Sequence, residues 1–312
     1  MSGLKEGVDL SVVIPLYNEA LTLATLHERL IRTLRSLGSS YEILYVDDGS
    51  TDGTAGLLRQ LQGQHQEAKV IFLNRNYGQH AAVLAGFERA RGEVIVTLDG
   101  DLQNPPEEIP KLLQKIREGY DVVGGWREER KDSLLRRLLS AQMSRITSLI
   151  VGVKMRDYGC MLRAYRRPVV EQISKSQEAA LFIPALANYL ARSVAEISVG
   201  HEMRESGKSR YNAFRLLRLN FDLLTGFSLL PIQAVSFSGI LIAFFGLAFA
   251  AFLALRRILI GPEVEGVFTL FAILFFFVGI QILALGLIGE YIARIYMQVR
   301  RRPRYVIKEV LG

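Results

Sequence analysis

The 312-residue chain has a single cysteine, Cys160, so no disulfide can form within it, which suits a reducing compartment. Histidine is scarce too: His27, His65, His80 and His201 are scattered, and with one cysteine they give no zinc-type spacing. No P-loop and no Ser–His–Asp arrangement is present, and neither is an internal repeat or a low-complexity tract. The first residues, Met1 to Asp9, lack the apolar stretch of a secretory signal, so the domain that follows is expected to stay in the cytoplasm. Zinc chemistry, thiol chemistry and a disulfide-stapled secreted fold are thereby set aside. Cys160 reads as a small buried residue, His80 either as a ligand contact or as a cap or packing residue next to a helix start, and the other histidines as surface.

What the chain has in excess is hydrophobicity, at 50% of residues, and the excess sits mostly after Leu223. Two uncharged stretches, Leu223 to Leu255 and Gly266 to Gly289, each exceed the roughly 20 residues that cross a bilayer. They are expected to be two transmembrane helices, with Pro231 near the start of the first. Lys208, Arg210, Arg215 and Arg218 precede them, and Arg294, Arg300, Arg301, Arg302, Arg304 and Lys308 follow. Arg256 and Arg257 in the connecting loop argue mildly the other way, but the flanking total places both termini in the cytoplasm. With membrane segments present, the net charge of +7 points to anionic lipid and phosphate rather than nucleic acid. Arg127 to Arg145 and Tyr211 to Leu224 mix leucines and arginines at near-helical spacing; each reads either as a surface helix on the core or as an interfacial helix on lipid. The expected plan is a catalytic domain over 1–210, a juxtamembrane amphipathic helix over 211–230, a two-helix membrane region over 231–290 and a basic cytoplasmic tail over 291–312.

The first half alternates strand-like and helix-like segments, which implies an α/β fold with a mostly parallel, Rossmann-like sheet. Strands are expected at Leu10 to Ile14, Tyr41 to Val46, Lys69 to Leu73, Glu93 to Leu98 and Asp121 to Gly124. Helices are expected from Asn18-Glu19 to about Leu37 and from Gly78 to Ala90. Polar clusters follow four of the strands, at Tyr17–Glu19, Asp47–Ser50, Asn74–Gln79 and Asp99–Gln103. In such sheets ligands bind beyond the carboxyl ends of the strands, so these clusters mark one site.

Asp99-Gly100-Asp101-Leu102-Gln103 carries the strongest chemical signal. Two carboxylates one residue apart in a turn can converge on Mg²⁺ or Mn²⁺, which shares oxygen ligands with a diphosphate and stabilises charge on it as it leaves. The alternative is a plain acidic turn. In Asp47-Asp48-Gly49-Ser50-Thr51-Asp52-Gly53, Asp48 is the better candidate to accept hydrogen bonds from a base or ribose, and Asp52 reads as a helix cap. Pro15 ends the first strand; Tyr17 offers a ring and Glu19 an acceptor.

The segments VVIPLYNE, VDDGSTDGT, RNYGQHAAVLAGF and LDGDLQNPPEEIP, in that order, resemble family 2 glycosyltransferases of the GT-A fold. Arg204-x-x-Gly207-x-Ser209-Arg210-Tyr211, the two apolar stretches and GEYIARIYMQVRRRPRY are similar to the polyprenyl-phosphate glycosyltransferases, a group that includes dolichyl-phosphate mannose synthase and bactoprenol glucosyltransferases. RNYGQH, DLQNPPEEIP and DYGCMLRAYRR look most like the members that hand 4-deoxy-4-formamido-L-arabinose to undecaprenyl phosphate. The resemblance implies an inverting, metal-dependent transfer from a nucleotide-sugar, UDP-linked, to a polyprenyl phosphate at the cytoplasmic membrane face. It assigns Pro15, Tyr17, Glu19, Val46 and Asp48 to the nucleotide, joined by Asn76, Gln79, Asp99 and Gly100 along the nucleotide-sugar. Asp99, Asp101 and Gln103 would hold the metal and diphosphate; Arg127, Arg204, Ser209 and Arg210 would hold the acceptor phosphate. Asp101, Arg127 and Asp157 are the catalytic candidates, Asp157 as base or as positioning group. Relatives mostly carry Lys where this chain has Arg210, and Ala where it has Gly100. Implied partners are the donor, the lipid acceptor and membrane lipid; self-association is compatible with the sequence. Alternatives are glucosyl or mannosyl transfer to the same acceptor, a non-catalytic nucleotide-binding scaffold, and a processive polysaccharide synthase. The lone Trp126 does not fit the Q-x-x-R-W motif of the last.

Overall fold

A computed structural model describes residues 8–127, 148, 152–176, 182–202, 230–260, 267–300 and 302–312. Short runs of β-branched and aliphatic residues form the strands. The first four are β1 (Leu10–Leu16), β2 (Tyr41–Asp47), β3 (Ala68–Leu73) and β4 (Val94–Thr97), and they run parallel in the order β4-β1-β2-β3. Their carboxyl ends therefore share one edge of the sheet, as the placement of the polar clusters implies. The chain order reverses between β1 and β4, which makes their ends the switch point where a ligand crevice forms.

The sheet is mostly parallel but mixed, with two strands reversed. β5 (Val122–Arg127), β6 (Arg163–Arg166), β7 (Val194–Val199) and β8 (Ile307–Leu311) extend it to eight strands in the order β7-β5-β6-β4-β1-β2-β3-β8. β6 is antiparallel to both β4 and β5, β7 is parallel to β5, and β8 is antiparallel to β3. The alternating first half of the sequence does not predict β6 and β8, because each is a short strand paired with a partner distant in the chain.

Among the described residues, six helices pack with this sheet in the first unit. α1 (Leu23–Ser36) buries Leu23, Leu26, Leu30 and Leu34 completely, one apolar face at helical spacing. Each buried leucine contributes about 1.5–3 kcal/mol, and Leu30→Ala would cost about 2–5 kcal/mol through the cavity it leaves. α1 starts four residues later than Asn18-Glu19 suggests, because Asn18 takes a positive φ of 56° and the chain turns before winding. α2 (Thr54–Gln64), α3 (Gln79–Phe87), α4 (Ile109–Arg117), α5 (Arg167–Lys175) and α6 (Ile183–Leu190) complete the layers. His27 is not at the surface: it is 4% exposed, with Nδ1 2.8 Å from the Tyr45 hydroxyl. Burial lowers its pKa to about 4, so it is a neutral core residue.

The chain divides into two units, residues 1–220 with 302–312, and 221–301. The last eleven residues thus belong with the first unit rather than forming a separate tail. β8 lies along β3, Arg59 grips Glu309 through two hydrogen bonds of 2.8 and 2.6 Å, and the Tyr305 hydroxyl bonds Glu88. In the second unit, α7 (Leu230–Ile260) begins one residue before Pro231, and α8 (Val267–Val299) follows. Among the described residues one helical segment, Ile273–Val299, is long and apolar enough to cross a membrane; Pro231–Gly246 in α7 is a shorter apolar segment.

Candidate active site

The loops after β1 and β2 are stitched together. The Asn18 N–H donates to Ser50 Oγ (2.9 Å), and the Thr51 N–H donates to Asn18 Oδ1 (2.7 Å). The Glu19 N–H donates to Thr54 Oγ1 (3.0 Å). Asp52 Oδ1 accepts the Thr54 N–H at the first residue of α2 (3.0 Å) and Oδ2 accepts the Ala20 N–H, but the N-cap is Gly53, so Asp52 stands one residue before the cap position expected of it. Gly49, at φ +68°, lies where a Cβ would be 2.5 Å from the Arg75 carbonyl carbon. Only glycine lets the β2 and β3 loops approach this closely.

Asp48 is buried, and its two oxygens accept the N–H groups of Tyr77 (2.7 Å) and Gly78 (2.8 Å). Those bonds do not offset its burial, which raises the pKa. Asp48 therefore shapes the 74–79 loop, and each oxygen retains capacity for a further donor. Next in the chain, Gln79 Nε2 donates to Asp99 Oδ1 (2.5 Å), and Asn104 Nδ2 donates to Asp99 Oδ2 (3.3 Å). Burial, then repulsion from Asp101, pushes the Asp99 carboxyl up to about 7, with Arg127 acting against the rise. Asp101 Oδ1 accepts the Gln103 N–H (3.2 Å), and Leu102 is forced to φ 60°. The Thr22 hydroxyl donates to the Gly100 carbonyl (2.8 Å). A Cβ on Gly100 would meet the end of the Leu16 side chain at 2.4 Å, so Ala needs Leu16 to shift. Pro15 and Val46 are buried register partners on β1 and β2; Tyr17 and Glu19 are half-buried, and Asn76 is exposed at the rim.

At the end of β5, Arg127 meets Asp157. Arg127 Nε donates to Oδ2 (2.7 Å) and Nη2 to Oδ1 (3.1 Å), a two-pronged pair that is largely buried. The Gly159 N–H adds a third donor to Oδ1 (3.0 Å). Two residues expected separately, as phosphate binder and as base or positioning group, are thus one unit, close enough to Asp99 for Arg127 to act on its charge.

The glycosyl transferase family 2 model matches residues 11–174. The undecaprenyl-phosphate 4-deoxy-4-formamido-L-arabinose transferase of Shewanella sediminis (strain HAW-EB3) is 50% identical over 304 residues, 96% of this chain and 92% of its own. The transferase of the same name from Edwardsiella ictaluri (strain 93-146) is 48% identical over 314 residues, 100% of this chain and 97% of its own. The chain belongs to glycosyl transferase family 2. Its fold is also that of glucosyl-3-phosphoglycerate synthase from Mycobacterium tuberculosis, solved with Mn²⁺, UDP-glucose and phosphoglyceric acid. That similarity has a TM-score of 0.50 at 16% identity, over 70% of this chain and 78% of the other.

As a family 2 glycosyltransferase, the chain is an enzyme with a GT-A fold. Among the described residues no three His, Cys, Asp or Glu side chains cluster tightly enough to hold a metal unaided. Asp99 and Asp101 are a half-set, and their mutual repulsion is what a divalent cation would relieve. Gln103 enters this network through its backbone: its N–H bonds Asp101, and its carbonyl accepts the Glu202 N–H at 2.9 Å. Arg204, Ser209 and Arg210, the basic stretch after Arg127 and the Tyr211–Leu224 segment lie outside the described residues. Sequence reasoning missed Asn104, Arg163 and Glu196. Asn104 and Arg163 lie within DLQNPPEEIP and DYGCMLRAYRR without a role assigned to them, and Arg163 left a further trace in the Gly124-Gly125 pair inside a strand, a pattern that marks a close approach. Cys160 is buried, with its thiol pushed up to about 12 by burial, and is no nucleophile.

Proposed function

We propose that the chain transfers 4-deoxy-4-formamido-L-arabinose from its UDP-linked form to undecaprenyl phosphate at the cytoplasmic face of a membrane, with inversion. The observation that carries the reaction type is the meeting, on one sheet edge, of an acidic pair suited to a metal-bound diphosphate with a buried Arg127–Asp157 pair suited to a phosphate. The choice of sugar and lipid rests on the two relatives of about half identity.

In this reading Asp99 and Asp101 hold Mg²⁺ or Mn²⁺ against the donor diphosphate, with Gln103 beside them; the solved synthase with Mn²⁺ and UDP-glucose supports such a group on this fold. When bound, the ion stabilises charge on the departing diphosphate. Pro15, Tyr17, Glu19, Val46, Asp48, Asn76, Gln79 and Gly100 line the nucleotide-sugar. A phosphate oxygen of the lipid attacks the anomeric carbon; the new carbon–oxygen bond forms as the bond to UDP breaks, and UDP carries away the electron pair. A phosphate monoester has its second pKa near 6, so it is largely ionised at neutral pH and needs no strong base. Asp157, with both oxygens already accepting from Arg127 and Gly159, suits positioning better than proton removal. Arg204, Ser209 and Arg210 join Arg127 on the acceptor phosphate.

Two membrane crossings fit the connectivity. The chain leaves its first unit by Asn220 and returns at Arg302 to pair β8 with β3, a connectivity that supports an even number of crossings. Arg300, Arg301, Arg302, Arg304 and Lys308 after α8 support a cytoplasmic side for the first unit. The test is transfer from a panel of labelled nucleotide-sugars to undecaprenyl phosphate by purified enzyme in detergent, with Mn²⁺ or EDTA, beside Asp101→Asn. Label entering lipid from one donor, and lost with EDTA and with the variant, supports the reading. No transfer from any donor with UDP still bound overturns it in favour of a nucleotide-binding scaffold.

A further inference from the structure

Arg163 is the bulkiest fully buried side chain among the described residues, at 0% exposure. It opens β6, the strand between the donor-side β4 and the acceptor-side β5, and its register partners are Thr97 on one and Gly124 on the other. Its guanidinium is spent on the turn that carries Asp157. Nε donates to the Cys160 carbonyl (2.9 Å) and Nη2 to the Asp157 carbonyl (3.0 Å), while Nη1 lies 3.7 Å from Met155 Sδ. A Cβ on Gly124 would sit 3.2 Å from Nη1 and 2.7 Å from Met155 Cε, so the bare strand makes the slot. Burying a guanidinium on carbonyls is costly, and a methionine or leucine would fill the slot more cheaply. What an apolar residue cannot do is span two carbonyls with a planar fork.

The turn is clamped from its other side by Glu196 on β7. Its carboxylate accepts the Arg156 N–H (2.9 and 2.8 Å) and the Asp157 N–H (3.2 Å). The same turn reaches the donor edge, for Cys160 Sγ lies 3.7 Å from Asn104 Oδ1, and Asn104 bonds Asp99.

We propose that Arg163 is a positioning residue for the transfer: it fixes the 157–160 turn so that Asp157 keeps the Arg127 guanidinium set against the donor edge. This rests on the reaction proposed above. A displacement of about 1 Å in such a constellation is enough to lower turnover roughly 10²-fold.

The test uses the full-length enzyme in detergent: wild type, Arg163→Lys, Glu196→Gln, Asp157→Asn and the double variant Arg163→Lys/Asp157→Asn. Arg163→Lys keeps the charge but cannot bridge both carbonyls. The expected result has three parts: faster amide hydrogen exchange confined to 155–161, unchanged affinity for UDP with Mn²⁺, and transfer lowered about 10²-fold. The double variant should lose no more than Asp157→Asn alone, because both changes remove one function. Native exchange over 155–161 with normal transfer overturns the proposal. So do multiplicative losses in the double variant, or a loss that appears as weakened UDP binding. Should Arg163→Lys fail to fold, Glu196→Gln, which loosens the same turn from a half-buried position, must show the same pattern. If wild type transfers nothing to polyprenyl phosphate, the reaction reading fails, while the exchange measurement still decides whether Arg163 holds the turn.

Discussion

Along the ends of β1 to β4, each loop is tied to its neighbour by short hydrogen bonds between residues of recognisable motifs: Asn18 to Ser50 and Thr51, Asp48 to Tyr77 and Gly78, Gln79 to Asp99. At the end of β5 the Arg127–Asp157 pair is instead held by Arg163, from the strand that follows, and by Glu196, from β7 and outside any of the quoted motifs. The donor edge is a chain of local agreements. The proposed acceptor edge is a long-range construction around one largely buried ion pair. An edge built from many bonds should lose function piecemeal, except where a charge itself does chemistry. An edge built on one pair should lose function all at once.

The largest expected effect tests that exception. Asp101→Asn keeps the turn but removes half of the acidic pair. Transfer should fall about 10³-fold, in the range seen when a group stabilising transition-state charge is lost, and UDP binding should cease to depend on Mn²⁺. Isothermal titration of UDP with and without Mn²⁺ checks the second point; unchanged metal dependence would remove Asp101 from the metal site.

Asp157→Asn comes next. It leaves the largely buried Arg127 facing a neutral amide, and breaking a buried pair from one side is typically costly. We expect transfer to fall about 10²-fold, with a raised KM for the lipid and unchanged UDP affinity. The pH–rate profile separates the two roles of Asp157. A positioning residue leaves the shape of the profile as it was, whereas loss of a base removes its acid limb.

Gly49→Ala probes the backbone of the donor edge. The new Cβ would collide with Arg75 backbone at a position already at φ +68°. We expect a loss of about 2 kcal/mol of stability and weaker UDP binding, with turnover at saturating donor nearly preserved. A thermal melt beside a UDP titration reads both. A collapse of turnover instead would show the donor edge to be as brittle as the acceptor edge.

The two edges differ in legibility for the same reason that they differ in construction. The donor strands and their loops can be read from the sequence because each loop lies directly after its own apolar run, so order along the chain predicts position along the sheet. The acceptor edge depends on β6, four residues long, inserted antiparallel between β4 and β5. No periodicity in four residues announces that. Arg163 looks like one basic residue among several in LRAYRR, and only the Gly124-Gly125 pair hints that something large needs the space. β8 escaped for a related reason: in a basic, membrane-flanking tail its charges carry the stronger signal, and its pairing with β3 spans most of the chain.

The smallest effect compares the edges by pH. Asp99 titrates near 7 in the metal-free fold, against 3.8 for the free residue, because burial and Asp101 disfavour its charge; Asp47 and Asp48 are also raised by burial. Between those values the folded state holds more protons than the unfolded one, so this contribution to stability is present at low pH and is lost as pH rises through about 7. A cation on Asp99 and Asp101 removes the penalty, because it favours the ionised pair. Mn²⁺ should therefore raise the melting temperature more at pH 8 than at pH 6, by an extra few degrees, about 3 °C. Hydrogen exchange should place the difference in 74–79 and 99–104, leaving 155–161 as it was. The Arg127–Asp157 turn is held instead by hydrogen bonds from Arg163 and to Glu196. An equal shift at both pH values would mean that Asp99 is already ionised without metal, held so by Arg127, and the two edges would then form one electrostatic unit.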